Sequence, residues 1–157
     1  MATDTQIESK KLLVSILNSS LKAAGFQRHG RTWSLESETV TIVLGLRHIQ
    51  FGHSYSLDVG VGLNQLAKPA TNDAYLCHLH LQLENLFPES RAMILKSLTL
   101  DKASPSEIEE FGEFVRSDLI PYLLAQRDSR VLRKDVLGGR LSVAGRLAGV
   151  REYFGFD

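Results

Sequence analysis

Between Tyr55 and Leu63 the chain alternates with a strict period of two: Tyr55, Leu57, Val59, Val61 and Leu63 are apolar, and Ser56, Asp58, Gly60 and Gly62 stand between them. Such alternation gives a β-strand one apolar and one polar face. Val40, Ile42, Leu44 and Leu46 repeat the pattern against Thr39, Thr41, Val43 and Gly45. Cys77, Leu79, Leu81 and Leu83 repeat it against His78, His80, Gln82 and Glu84. Shorter strand signals lie at residues 26–29, which end at Gly30, and at 32–36, which hold Trp33 and Leu35. Residues 48–53 read as a connection, and 64–73, with Pro69 and Asn72, as a loop. Together these segments predict one antiparallel meander.

The flanks have the helical period instead. In residues 5–24, Leu13, Leu17 and Leu21 lie four apart with Ile16 and Ala24 beside them, while Lys10, Lys11, Asn18 and Lys22 fall mostly off that stripe. Gly25 follows as a terminator. Residues 88–96 predict a short helix. Ser104-Pro105-Ser106-Glu107 has the form of a capping box with proline at the first helical position, and Ile108, Phe111, Val115 and Leu119 follow at helical spacing. Pro121 falls inside that pattern and is expected to kink or end the helix. In residues 129–154, Gly138-Gly139 separates two short helical pieces. With no repeat or linker, residues 1–157 form a single domain. The fold class is α+β, an antiparallel meander sheet of about four to six strands with helices packed on one face. The leading helix and the helix after Ser104 are its main packing partners.

A chain of 157 residues, 43% hydrophobic, buries enough surface to fold without a disulfide or metal staple. Its 18 basic and 18 acidic residues cancel, which counts against a dedicated nucleic-acid binder. A single cysteine, Cys77, excludes an internal disulfide and suits a reducing compartment. The first residues lack the basic flank and apolar core of a secretory signal. No apolar run approaches the roughly 20 residues of a membrane span. The expectation is a cytoplasmic protein without a membrane partner.

Three stretches carry a resemblance: Gly25-Phe26-Gln27-Arg28-His29-Gly30-Arg31-Thr32-Trp33, Leu57-Asp58-Val59-Gly60-Val61, and Cys77-His78-Leu79-His80-Leu81-Gln82-Leu83-Glu84. In order and spacing, with the helix before them, they resemble the bacterial domain of unknown function family 4304 over roughly the first ninety residues. The C-terminal third is similar only in being helical. The resemblance implies a compact α+β fold and no chemistry. Small proteins of this kind often sit beside toxin genes as immunity proteins, an analogy only.

Candidate chemistry gathers on the polar faces of the strands. His78 and His80, two apart, would share one face of a strand. Two imidazoles there suit Zn²⁺, at about 2.0–2.1 Å, if Asp58 or Glu84 supplies a third ligand. The alternative is that His78, His80, Gln82 and Glu84 are the solvated or partner-facing side of a half-buried strand. In the central pair, a hairpin that sets Leu44 near Leu57 and Ile42 near Val59 brings Thr41, Val43, Gly45 and Arg47 onto one face with Ser56, Asp58, Gly60 and Gly62. Three glycines leave bare backbone that a ligand or partner chain can approach. Alternatively the C-terminal segment covers that face, or the glycines serve twist and bulges.

Charge is uneven beyond residue 100. Residues 101–118 hold six acidic groups against two basic, and 127–151 seven basic against two acidic. Arg127, Arg130 and Lys134 would share a helix face able to meet phosphate or an acidic protein; the alternative is two neighbouring helices with complementary faces. Cys77, on the face of Leu79 and Leu81, reads as a core residue. Gly138-Gly139-Arg140 lacks the Gly-Lys-Ser/Thr ending of a phosphate loop, and no Ser–His–Asp set stands out.

The sequence therefore favours a small protein-binding domain without enzymatic activity or cofactor, with neutralisation of a bacterial toxin as its specific form. Its partner-facing residues are Thr41, Arg47, Ser56, Asp58, His78, His80 and Gln82. The alternatives are a metal-dependent enzyme on His78, His80 and Asp58, and a nucleic-acid binder through the basic C-terminal segment.

Overall fold

The computed structural model describes residues 3–49, 53–66, 74, 77–141 and 150–155. Helix α1 (Asp4–Ala23) opens on a capping box: the Gln6 N–H donates to the Thr3 hydroxyl at 3.2 Å, and the Thr3 N–H donates to Gln6 Oε1 at 2.7 Å. Two otherwise orphaned donors are thereby satisfied. Leu13, Ile16, Leu17 and Leu21 form its buried stripe, each worth roughly 1.5–3 kcal/mol of burial. Gly25, at φ +99°, ends the helix in the left-handed conformation.

Five antiparallel strands follow in spatial order of sequence: β1 (Gln27–His29), β2 (Thr32–Glu36), β3 (Val40–His48), β4 (Tyr55–Leu63) and β5 (Leu79–Gln82). The β1–β2 turn places Gly30 at φ +64° between the pair His29 and Thr32, as a two-residue hairpin requires. In the β3–β4 hairpin Leu44 pairs with Val59 and Ile42 with Val61, two residues away from the pairing expected from the pattern. Because the side-chain period is two, that slip leaves every residue on its expected face.

Strand β5 is shorter than its alternation suggests. Leu83 opens helix α2 (Leu83–Leu86), so Glu84 is helical and Cys77 and His78 precede the strand. Leu83, Leu86 and Phe87 are buried at helical spacing, and that face wins over the period of two. A 3₁₀ turn (Pro88–Ser90) leads into α3 (Arg91–Ser97), and α4 (Pro105–Phe114) starts at the expected Ser104–Glu107 capping box. The helix does not end at Pro121. It widens into a π-helical stretch (Val115–Leu119) and continues as α5 (Ile120–Ala125). A proline in a regular helix crowds the carbonyl four residues back, and the wider turn before Pro121 relieves that contact. Helix α6 (Ser129–Leu137) stops at Gly138-Gly139, with Gly139 at φ +83°, and α7 (Val150–Phe154) follows.

The helices bury the apolar face of the sheet, with Trp33, Leu44, Leu57, Phe111 and Phe154 at the centre of one core. Helices α1 and α4 meet closely at Gly112, where an added Cβ would lie 2.7 Å from Ile16 Cγ2. None of the described helices is long and apolar enough to cross a membrane.

Candidate functional site

The polar face of the sheet is two environments. Every residue of β4 is buried, so that face is not solvated along its centre. Over Gly60 lie the backbone of Ala74 and the thiol of Cys77; a Cβ on Gly60 would fall 2.7 Å from Cys77 Sγ and 2.8 Å from the Ala74 carbonyl oxygen. Val43, Ala74 and Cys77 form a small apolar cluster there. Cys77 is thus buried, as expected, but on the face opposite Leu79, because it precedes β5 and folds back across the sheet. Among the described residues the close cover over Gly60 comes from Ala74 and Cys77, which lie between β4 and β5.

The other half of the face is open at Gly45, where a Cβ would meet nothing within 4 Å. Gly45 pairs with Thr32 on one side and Asp58 on the other, and Asp58 pairs with Gln82. Beside it Arg47 Nε donates to Asp58 Oδ2 at 3.0 Å, and the Ser56 hydroxyl donates to Asp58 Oδ1 at 3.1 Å. The Asp58 side chain is 8% exposed and that of Arg47 39%. One carboxylate, held from two sides, therefore fixes a half-exposed guanidinium. Thr41 sits further along, its hydroxyl donating to Asn64 Oδ1 at 2.9 Å.

The two histidines do not act as a pair. His78 is buried, and its Nδ1 accepts the backbone N–H of Leu63 at 2.9 Å. His80 is half-buried on β5 opposite Gly60. Among the described residues no three His, Cys, Asp or Glu side chains come together to hold a metal ion. The set His78, His80 and Asp58 is not assembled: His78 Nδ1 accepts the Leu63 N–H, and the Asp58 carboxylate accepts from Arg47 and Ser56.

The basic C-terminal stretch is described only in part, since Arg146 and the Arg151 side chain lie outside the described residues, and several of its described cations have separate contacts. Arg127 precedes α6 and donates from Nε to the Leu124 carbonyl. Arg130 pairs with Asp128 at 3.3 Å. Arg140 lies over the Tyr122 ring, 4.2 Å from its centroid. Burial, and after it the Asp135 carboxylate, push the Tyr122 hydroxyl above its usual pKa of 10. Among the described residues no ion pair joins the acidic and basic stretches; the acidic one pairs with Lys96 and within itself, through Glu107 and Glu113.

On the helix side of the sheet, α1 and the β1–β2 hairpin enclose a groove of about 650 Å³. Lys10 and Lys11 reach it from the helix, and Arg28 and Arg31 from the hairpin. Arg28 is opposite Trp33 in the ladder and so turns to the helix side. Its Nε donates to the Gly30 carbonyl at 2.7 Å, and its guanidinium stands 5.7 Å from the Trp33 ring centroid. Ile7, Val14, Tyr55 and Leu100 give the groove apolar lining. Among the described residues none of the four cations forms an ion pair. This cluster was hidden in the sequence: the lysines read as residues off an apolar stripe, and the arginines lie about twenty positions away. The legible signal was Arg28 and Arg31 flanking the Gly30 turn.

Residues 17–123 match the family described as a domain of unknown function, DUF4304. The match runs past the first ninety residues, through α4 and into α5; it takes in only the last turns of α1 and leaves out α6 and α7. Arg28, Arg31 and the Arg47–Asp58 pair fall inside it, and Lys10 and Lys11 precede it. No curated protein and no solved structure matches the chain.

Proposed function

We propose, from the premise that the chain belongs to the DUF4304 family of unknown function, that it is a non-enzymatic protein-binding domain acting in the cytoplasm through the open half of its polar sheet face. The observation that carries the reading is the contrast between Gly60, which the chain itself covers, and Gly45, which stands open beside a fixed ion pair. Bare strand backbone admits a partner closely. Arg47, locked by Asp58 and Ser56, offers a charged group whose ordering cost is already met in the free protein, which favours affinity. Thr41, His80 and Gln82 border the same face, whereas His78 is taken up inside. Neutralising a toxin is the specific form of this role, and it rests on analogy.

The test substitutes Gly45→Arg. Space is open there and no positive φ is needed, so the domain keeps its fold, while a long side chain fills the contact surface. A stoichiometric protein captured by the wild type and lost with Gly45→Arg supports the reading; for the toxin form, the wild type also relieves that protein's toxicity and the variant does not. Equal capture by both proteins rejects this surface.

A further inference from the structure

We infer that the groove between α1 and the β1–β2 hairpin binds a small organic phosphate carrying two or more phosphoryl groups. It lies on the helix side of the sheet, so it stands or falls independently of the partner-binding face. Its volume of about 650 Å³ is that of a small-molecule pocket, which typically spans roughly 300–1,000 Å³. From Gln6 to Ser15 the helical wall rises roughly 13 Å at about 1.5 Å per residue, the length of a nucleotide-sized molecule.

Charge selects the ligand. The chain is neutral overall, yet Lys10, Lys11, Arg28 and Arg31 converge on one groove. A single carboxylate would answer one of them. A terminal phosphate brings about 1.5 to 2 negative charges and three acceptor oxygens, so two or more phosphoryl groups match the set. Arginine forks bind phosphate in bidentate fashion, and lysines add point charges around it. Arg28 is pre-oriented by the Gly30 carbonyl and the Trp33 ring. The apolar lining, with Ile7 42% exposed and Tyr55 beside it, suits an organic body rather than an inorganic ion. Polarity follows from Asp101, which accepts from the amide of Gln6 at the groove's edge. Phosphates sit away from that carboxylate, and the neutral part of the ligand towards it.

The experiment is calorimetric titration of the full chain with inorganic pyrophosphate and a nucleoside diphosphate, against sulfate and inorganic phosphate. The expected result is one saturable site per chain, at least tenfold tighter for the first two probes, weakening as salt rises. Lys11→Gln and Arg31→Gln alter exposed side chains and leave the melting temperature of the free protein nearly unchanged. Each should weaken binding roughly tenfold, about 1.4 kcal/mol. Equal affinity for sulfate and pyrophosphate, or affinities untouched by both variants, would overturn the inference. So would binding to phosphoinositide-containing vesicles with none to the soluble diphosphates, which would make the groove a lipid-headgroup site.

Discussion

His78 completes the sheet where no strand does. Leu63, the last residue of β4, pairs with Val40 on one side, while the ladder to β5 stops at Val61 and Leu79. The Leu63 N–H beyond that point donates to Nδ1 of His78 at 2.9 Å. An accepting Nδ1 carries no proton, so this geometry assigns the neutral ring.

Replacing His78 by Ala removes the acceptor and leaves a buried N–H without a partner. The expected cost is about 1–3 kcal/mol, read as a lower urea midpoint. Hydrogen exchange at the Leu63 amide should quicken more than at the Val59 amide, inside the intact β4 ladder. Equal exchange at both positions would refute the assignment.

Gly45 and Gly60 should respond oppositely to alanine. At Gly60 the new methyl meets backbone atoms of Ala74, which cannot swing away, and overpacking of that kind costs about 1–3 kcal/mol. At Gly45 the methyl meets nothing, and relief of glycine's unfolded-state freedom should leave stability unchanged or raise it by about 0.5–1 kcal/mol. Paired denaturation curves check both signs.

Gly112→Ala should destabilise through Ile16, whose Cγ2 methyl stands 2.7 Å from the added Cβ. That methyl is fixed at a β-branch and cannot rotate clear without moving the other arm. Because Ile16→Ala removes it, the two substitutions should be non-additive by about 0.5 kcal/mol or more. An additive double-mutant cycle would show that the helices separate instead.

Acid should weaken the start of α4. A hydrogen bond from Lys96, with further ones from the Ser104 N–H and hydroxyl, holds Glu107 at a pKa of about 2 against its ordinary 4.5. A folded pKa below the unfolded one adds stability above pH 4.5, and this contribution disappears as pH falls from 4.5 to about 2. Thermal melts of wild type and Glu107→Gln should differ at neutral pH and converge in that window. The same pair raises Lys96 above 10.5, so the contribution is also lost in alkali above that value.

The strands from β1 to β4, the faces of β3 and β4, the α4 capping box and the stop at Gly25 were all decided by the sequence itself. Each rests on local physics: the period of side chains along a strand, the reach of a serine to an N–H three residues on, the conformational freedom of glycine. The sequence pattern begins α1 at residue 5, and the structure begins it at Asp4, behind the Thr3–Gln6 capping box. What lies over a face is a non-local matter, and only the tertiary structure decided it. Ser56 and Asp58 alternate like solvated residues yet are buried; Cys77 alternates with leucines yet lies across the sheet from them; Pro121, expected to kink or end its helix, does not end it but follows a π-helical stretch. The cationic groove is the same kind of fact. Periodicity says which way a side chain points from its own element, while pairing and packing over tens of residues determine what it meets there.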